Sequence, residues 1–123
     1  MQSIKNRKKT ATEMTMQSKD LILSTGTFPP SGSRDLGIIY GISCISTNFI
    51  RDTLASVRNI TIGGELTSYS DMLRTGVAKA EERLREEAAR LNADGVYAVK
   101  IATPQITTGA AEIIMYGTAF IYV

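Results

Sequence analysis

The sequence predicts an α+β domain in which one long helix packs on an antiparallel sheet. Three observations carry that prediction. Thr67 to Gly95 holds an uninterrupted helical periodicity. Three Ile-, Val- and Tyr-rich runs alternate as strands do, at Leu36–Thr47, Val96–Ile101 and Ala110–Val123. Gly-, Pro- and Asn-rich stretches separate these segments.

In the helical stretch, Leu73, Val77, Ala80, Leu84, Ala88 and Leu91 recur every three or four residues and form one apolar stripe. Lys79, Glu82, Arg83, Glu86 and Arg90 fall on the opposite face. Glu81–Arg85 and Glu86–Arg90 are spaced one turn apart with the acid first, the better orientation. Ser68 or Ser70 suits the cap, which places Asp71 in the first turn. Asn92-Ala93-Asp94-Gly95 supplies residues that accept a left-handed backbone and end the helix.

Taken from its start, the chain opens with residues 1–20, which are polar, lack periodicity and read as a disordered tail. Leu21–Thr25 suits a short first strand, and GTFPPSGS at 26–33 a loop. Asn48–Asn59 predicts a short helix with Ile50, Leu54 and Val57 inward, capped by Thr47 or Asn48. A turn around Gly63-Gly64 then leads into the long helix. Thr103–Gly109 reads as a hairpin loop. The expected order is strand, strand, short helix, long helix, strand, strand, in one domain over 21–123.

Both faces of the strands are apolar. Leu36, Ile38, Tyr40, Ile42 and Cys44 oppose Ile39, Gly41, Ser43 and Ile45; Ile114, Tyr116, Phe120 and Tyr122 oppose Ile113, Met115, Ala119, Ile121 and Val123. One helix layer covers one face, so the other needs a second cover. A ring of copies supplies it and pairs the exposed strand edges. The alternative is a monomer whose back face is covered by its own first strand and short helix.

Composition narrows the function. The 123 residues are 43 % hydrophobic and 21 % charged, a globular balance. No apolar run approaches the roughly 20 residues of a membrane span. A basic start at Lys5, Arg7, Lys8 and Lys9 is followed by polar residues rather than an apolar signal core, so a cytoplasmic location without membrane attachment is expected. An organelle-targeting role for the tail stays open. The tail carries five basic side chains against two acids, and the remainder nine against ten. Nucleic-acid binding is therefore not expected of the body, and only the tail has the charge for weak polyanion contact.

The chain has no histidine and one cysteine, Cys44. That excludes an internal disulfide, a CxxC motif, a Cys–His metal site and any Ser–His or Cys–His catalytic arrangement within one chain. Cys44, set in an apolar strand, reads as a buried structural thiol. Asp71, Asp94 and Glu112 are scattered along the chain, and Met14 and Met16 lie in the tail. Glu81-Glu82 and Glu86-Glu87 belong to the solvated helix face. Neither GxGxxG nor GxxxxGK[ST] is present. No catalytic residue, metal ligand or cofactor is expected, and the chain reads as a non-enzyme. Gly63-Gly64 and the helix start at Asn48, with Arg51 or Arg58, form a place for an anion. Tight packing at the glycines and an Arg51–Asp52 ion pair explain the same residues equally well.

The sequence from Tyr40 to Leu73, ARLNADGVYAVKI at 89–101 and YGTAF at 116–120 together resemble the YbjQ-like family, a bacterial group that also carries a heavy-metal-binding label. The features that match are Asn48-Phe49-Ile50-Arg51-Asp52, the spacing from Arg58 to Gly63-Gly64, Tyr69, the 92–95 turn and Gly117-Thr118-Ala119. The resemblance covers 21–123. It implies a dodecin-like β-α-β-β core, with the first strand and short helix as additions, and a cyclic homo-oligomer, a pentamer or decamer, whose sheets form a central barrel-like ring. Dodecins bind flavins between subunits, but shared topology does not carry function. This chain has no tryptophan, and its tyrosines lie mostly at strand positions suited to packing. Two readings follow: an oligomeric scaffold or partner-binding ring, and a ring that holds a small ligand, nucleotide or metal between subunits through Arg51, Arg58, Tyr69 or Cys44.

Overall fold

The computed structural model describes residues 10, 12–13, 18, 20–46, 65–107 and 110–123; for 46, 65–69, 105–107, 110 and 111 only the backbone is considered. The elements are β1 (Ile22–Leu23), β2 (Ser33–Ser46), α1 (Glu65–Arg90), β3 (Gly95–Ala102), β4 (Gln105–Thr107) and β5 (Ala110–Tyr122). The expected short helix at 48–59 and the Gly63-Gly64 turn lie outside the described residues.

The strands form one sheet in the order β1-β3-β5-β2, with β4 also paired to β5. The β2–β5, β3–β5 and β4–β5 pairs are antiparallel. β1 runs parallel to β3, with Ile22 opposite Gly95, so the sheet is mixed rather than wholly antiparallel. The hairpin connection is shorter than the expected 103–109 loop, because Gln105–Thr107 already pairs with β5. β5 is central, and β2 forms a 14-residue outer edge.

The single long helix covers one sheet face, as expected, but its buried stripe is displaced. Met72, Gly76, Ala80, Leu84 and Ala88 face the sheet, while Leu73 and Leu91 are exposed. Small residues decide this. A Cβ on Gly41 would lie 2.1 Å from the Ala80 carbonyl oxygen and 2.5 Å from the Leu84 nitrogen. A Cβ on Gly76 would meet Ile113 and Ile45. Helix and sheet therefore approach at the positions with least side chain, and the bulkier Leu73 turns away. The helix also begins at Glu65, which puts Ser68 and Ser70 inside it rather than at its cap.

The helix end follows the sequence closely. Asn92 has φ 56°. The Ala93 N–H donates to the Ala88 carbonyl (3.0 Å) and the Asn92 N–H to the Ala89 carbonyl (3.1 Å). This is a Schellman closure with asparagine, not Gly95, at the left-handed position. Gly95 serves packing instead: a Cβ there would meet the Ile22 carbonyl oxygen and the Phe120 ring.

The N-terminal residues contribute two details. The Glu13 N–H donates to the Thr10 hydroxyl and the Thr10 N–H to the Glu13 carboxylate, each at 3.2 Å, a reciprocal capping box. Arg85 of α1 donates to the carbonyls of Leu21 (2.7 Å) and Ser18 (3.2 Å), which ties the start of the domain to the helix.

Candidate functional site

Alternation along β2 sorts its residues between two environments. Ile39, Gly41, Ser43 and Ile45 are buried under α1. Ile38, Tyr40, Ile42 and Cys44 point to the opposite face and are exposed, the first three by 63, 53 and 43 %. Cys44 is thus an exposed thiol rather than a buried one, because it falls on the face that α1 does not cover. On β5, Ile114, Tyr116 and Thr118 share this open face. Tyr40 lies opposite Tyr116, with ring centroids 6.3 Å apart, and Lys100 of β3 extends the row.

The far end of the open face is closed by aromatic rings. Phe120 packs edge-on to Tyr122 at 5.4 Å and beside Tyr97 at 6.2 Å. The Tyr97 hydroxyl donates to both carboxylate oxygens of Asp35, at 2.9 and 3.0 Å. Burial pushes the Tyr97 pKa up, and the neighbouring Asp35 carboxylate raises it further. Beside it, Ala98 has φ 53° in a bulge of β3, where its N–H donates to the Gly26 carbonyl.

The backbone of β2 also has an outer side along which no described strand pairs. The Glu112 N–H points away from β2, toward Pro104. In this register the odd residues of β5 therefore bond the odd residues of β2, and the even residues of β2 direct their N–H and C=O outward. Arg83 of α1 reaches round to donate to the Ile42 carbonyl on that outer edge.

Under the same edge, between β2 and α1, lies a cleft of about 320 Å³ lined by Ser43, Cys44, Ile45, Met72, Thr75, Gly76 and Lys79. Ser43 is 5 % exposed. Lys79 pairs only loosely with Glu82, at 3.4 Å on the surface.

The described residues among those singled out in the sequence are not brought together. Asp71 lies on α1, Glu112 on β5 opposite Cys44, and Asp94 in the turn before β3, where its carboxylate accepts from the Tyr122 N–H. Asn48, Arg51, Arg58, Gly63 and Gly64 lie outside the described residues, as do Met14, Met16 and the Tyr69 side chain. Among the described residues no three of Cys, Asp and Glu form a group able to hold a metal ion. Nor is any helix among them long and apolar enough to cross a membrane. The Tyr97–Asp35 pair and the cleft leave no pattern in the sequence. Ser43 was the available signal, a hydroxyl at a position that alternation assigns to the core.

A family model described as "Putative heavy-metal-binding" matches residues 21–123. The chain belongs to the YbjQ-like family. It is 37 % identical over 105 residues to a UPF0145 protein of Archaeoglobus fulgidus, covering 85 % of this chain and 96 % of that one. A UPF0145 protein of Thermus thermophilus is 44 % identical over 84 residues, 68 % of this chain and 73 % of the relative. A crystal structure of a protein of unknown function from the DUF74 family of Pediococcus pentosaceus superimposes with a TM-score of 0.58, at 15 % identity, over 84 % of this chain and 98 % of that one. At that identity the likeness concerns the fold alone. None of these names states an enzymatic activity. The YbjQ-like description implies a heavy metal, but the described donors do not fit one: the chain lacks histidine, and among the described residues its one thiol has a single carboxylate, Glu112, opposite it in register.

Proposed function

We propose that this chain is a non-enzymatic binding or scaffold protein that works as a homo-oligomeric ring. The observation that carries the reading is the open sheet face. Ile38, Tyr40, Ile42, Ile114 and Tyr116 form a contiguous apolar surface across two long strands. Such a surface on a small domain marks an interaction site. Apart from the Ile42 carbonyl, which accepts from Arg83, the outward backbone groups of Ile38, Tyr40, Ile42 and Cys44 adjoin it and suit a further strand. A second copy fits both needs at once, and a closed ring leaves no edge free for uncontrolled addition. The YbjQ-like resemblance supports a pentamer or decamer. The ring then displays its tails and loops to a partner, in a cytoplasmic setting.

The test is a pair of open-face variants, Tyr40→Lys and Ile42→Lys, followed by sedimentation velocity and circular dichroism. Charge on the open face leaves the helix-side core untouched. The expected outcome is a folded species of smaller mass than the parent. Variants that keep the parent's mass at micromolar concentration contradict the reading.

A second reading, small-ligand binding beside the interface, is favoured by one observation: the cleft under the β2 edge, whose described lining includes a hydroxyl, an ammonium group and no acid.

A further inference from the structure

We propose that the cleft between β2 and α1 binds a small organic carboxylate, with its apolar body against Ile45, Met72 and Gly76 and its charged end toward Ser43 and Lys79. The volume, about 320 Å³, lies at the lower end of the range for small-molecule pockets. Its wall surface is mainly apolar, which disfavours a fully hydrated ion such as inorganic phosphate.

The polar groups select the sign of the charge. No described aspartate or glutamate lines the cleft. Lys79 contributes a cation whose present partner, Glu82, is held at 3.4 Å with both side chains more than half exposed. Pairs of that kind contribute little and exchange readily. Ser43 is the more telling group. It is 5 % exposed and makes no side-chain hydrogen bond to any described residue. No fully enclosed polar atom lacks a partner among those residues. The Ser43 hydroxyl therefore opens onto the cleft, where a bound oxygen would satisfy it. Thr75 is not needed for this, since its hydroxyl already donates to the Asp71 carbonyl at 2.9 Å.

The cleft belongs to one chain. A neighbour paired to the β2 edge would roof it without supplying its donors, so the site stands apart from the ring reading. The second source of the same chemistry is a carboxylate side chain from a neighbouring copy.

Sodium benzoate and sodium hexanoate, titrated into the full-length protein, test the proposal. Backbone and side-chain resonances of Ser43, Thr75 and Lys79 are followed by NMR, with benzamide and inorganic phosphate as controls. The native mass is recorded in parallel. Saturable shifts confined to the cleft are expected for the two carboxylates. Lys79→Gln is expected to weaken binding about tenfold, the effect of losing one charged hydrogen bond. Ser43→Ala should weaken it by a smaller factor with no loss of fold. Equal binding of benzamide or phosphate, or unchanged affinity in Lys79→Gln, overturns the proposal. Absence of any saturable shift overturns it too, and if Lys79 is then shielded only in the oligomer, the carboxylate comes from a neighbouring copy. The mass measurement keeps these outcomes separate from a failure of the ring.

Discussion

At Gly41 strand and helix meet backbone to backbone, and no side chain fits between them. A Cβ there would stand 2.1 Å from the Ala80 carbonyl oxygen, closer than any relaxed contact, so either strand or helix must move. Gly41→Ala is expected to lower stability by about 1–3 kcal/mol, as overpacking of a tight core does, measured as a fall in the urea midpoint. Gly32 contrasts with it. Its φ of 73° demands glycine, yet the space beside it is open. Tyr97 gives a pH signature. Its folded pKa lies above the ordinary tyrosine value of about 10, through burial first and Asp35 second. Its contribution is complete below that ordinary value. Above it the unfolded chain ionises first, and stability falls until the folded hydroxyl also ionises. Urea midpoints followed upward from neutral pH should show this fall in the native protein and a shallower one in Tyr97→Phe.

Helix α1 shows which features of an element can be read from sequence. Its existence, its charged face and its end were all legible. Lys79, Glu82, Arg83, Glu86 and Arg90 are exposed as expected, and the Glu81–Arg85 pair forms at 3.8 Å. Arg90 chooses Glu87 rather than the expected Glu86. The buried stripe was not legible, because hydrophobicity ranks Leu73 above Gly76 whereas close packing prefers the smaller residue. The strand faces were legible from alternation, but which face met the helix was not: both carry isoleucines, and the choice rests on Gly41. For the same reason Cys44 fell on the unexpected side. The parallel pairing of β1 was hidden too, since a two-residue strand has no pattern of its own. At the C-terminal end of α1, Asn92 holds the left-handed position. Asn92→Gly should preserve stability, and Asn92→Val should lower it by about 1–2 kcal/mol, read from thermal melts of the two variants.

Across the described residues the governing fact is an imbalance: one helix layer, two apolar sheet faces. The helix face is closed by residues as buried as Leu84, Ala80 and Ala119, while the open face presents Tyr40 and Ile42 beside the outer edge of β2. Cys44 is a built-in reporter of what covers that face. Its thiol is exposed in the single chain and sits in register with Glu112 at the border of the apolar surface. If copies associate through this face, a maleimide should label Cys44 slowly in the native protein and quickly in Tyr40→Lys. Equal labelling rates would mean that the face stays open. The candidate cleft was less legible than the fold, because it depends on how closely α1 approaches β2, a distance that no sequence pattern encodes. The intact native mass of the purified protein tests the proposed ring most directly. A closed multiple of the 13.4 kDa chain, five or ten copies, is expected. A mass of 13.4 kDa at micromolar concentration would contradict it, and the open face of β2 and β5 would then need another explanation.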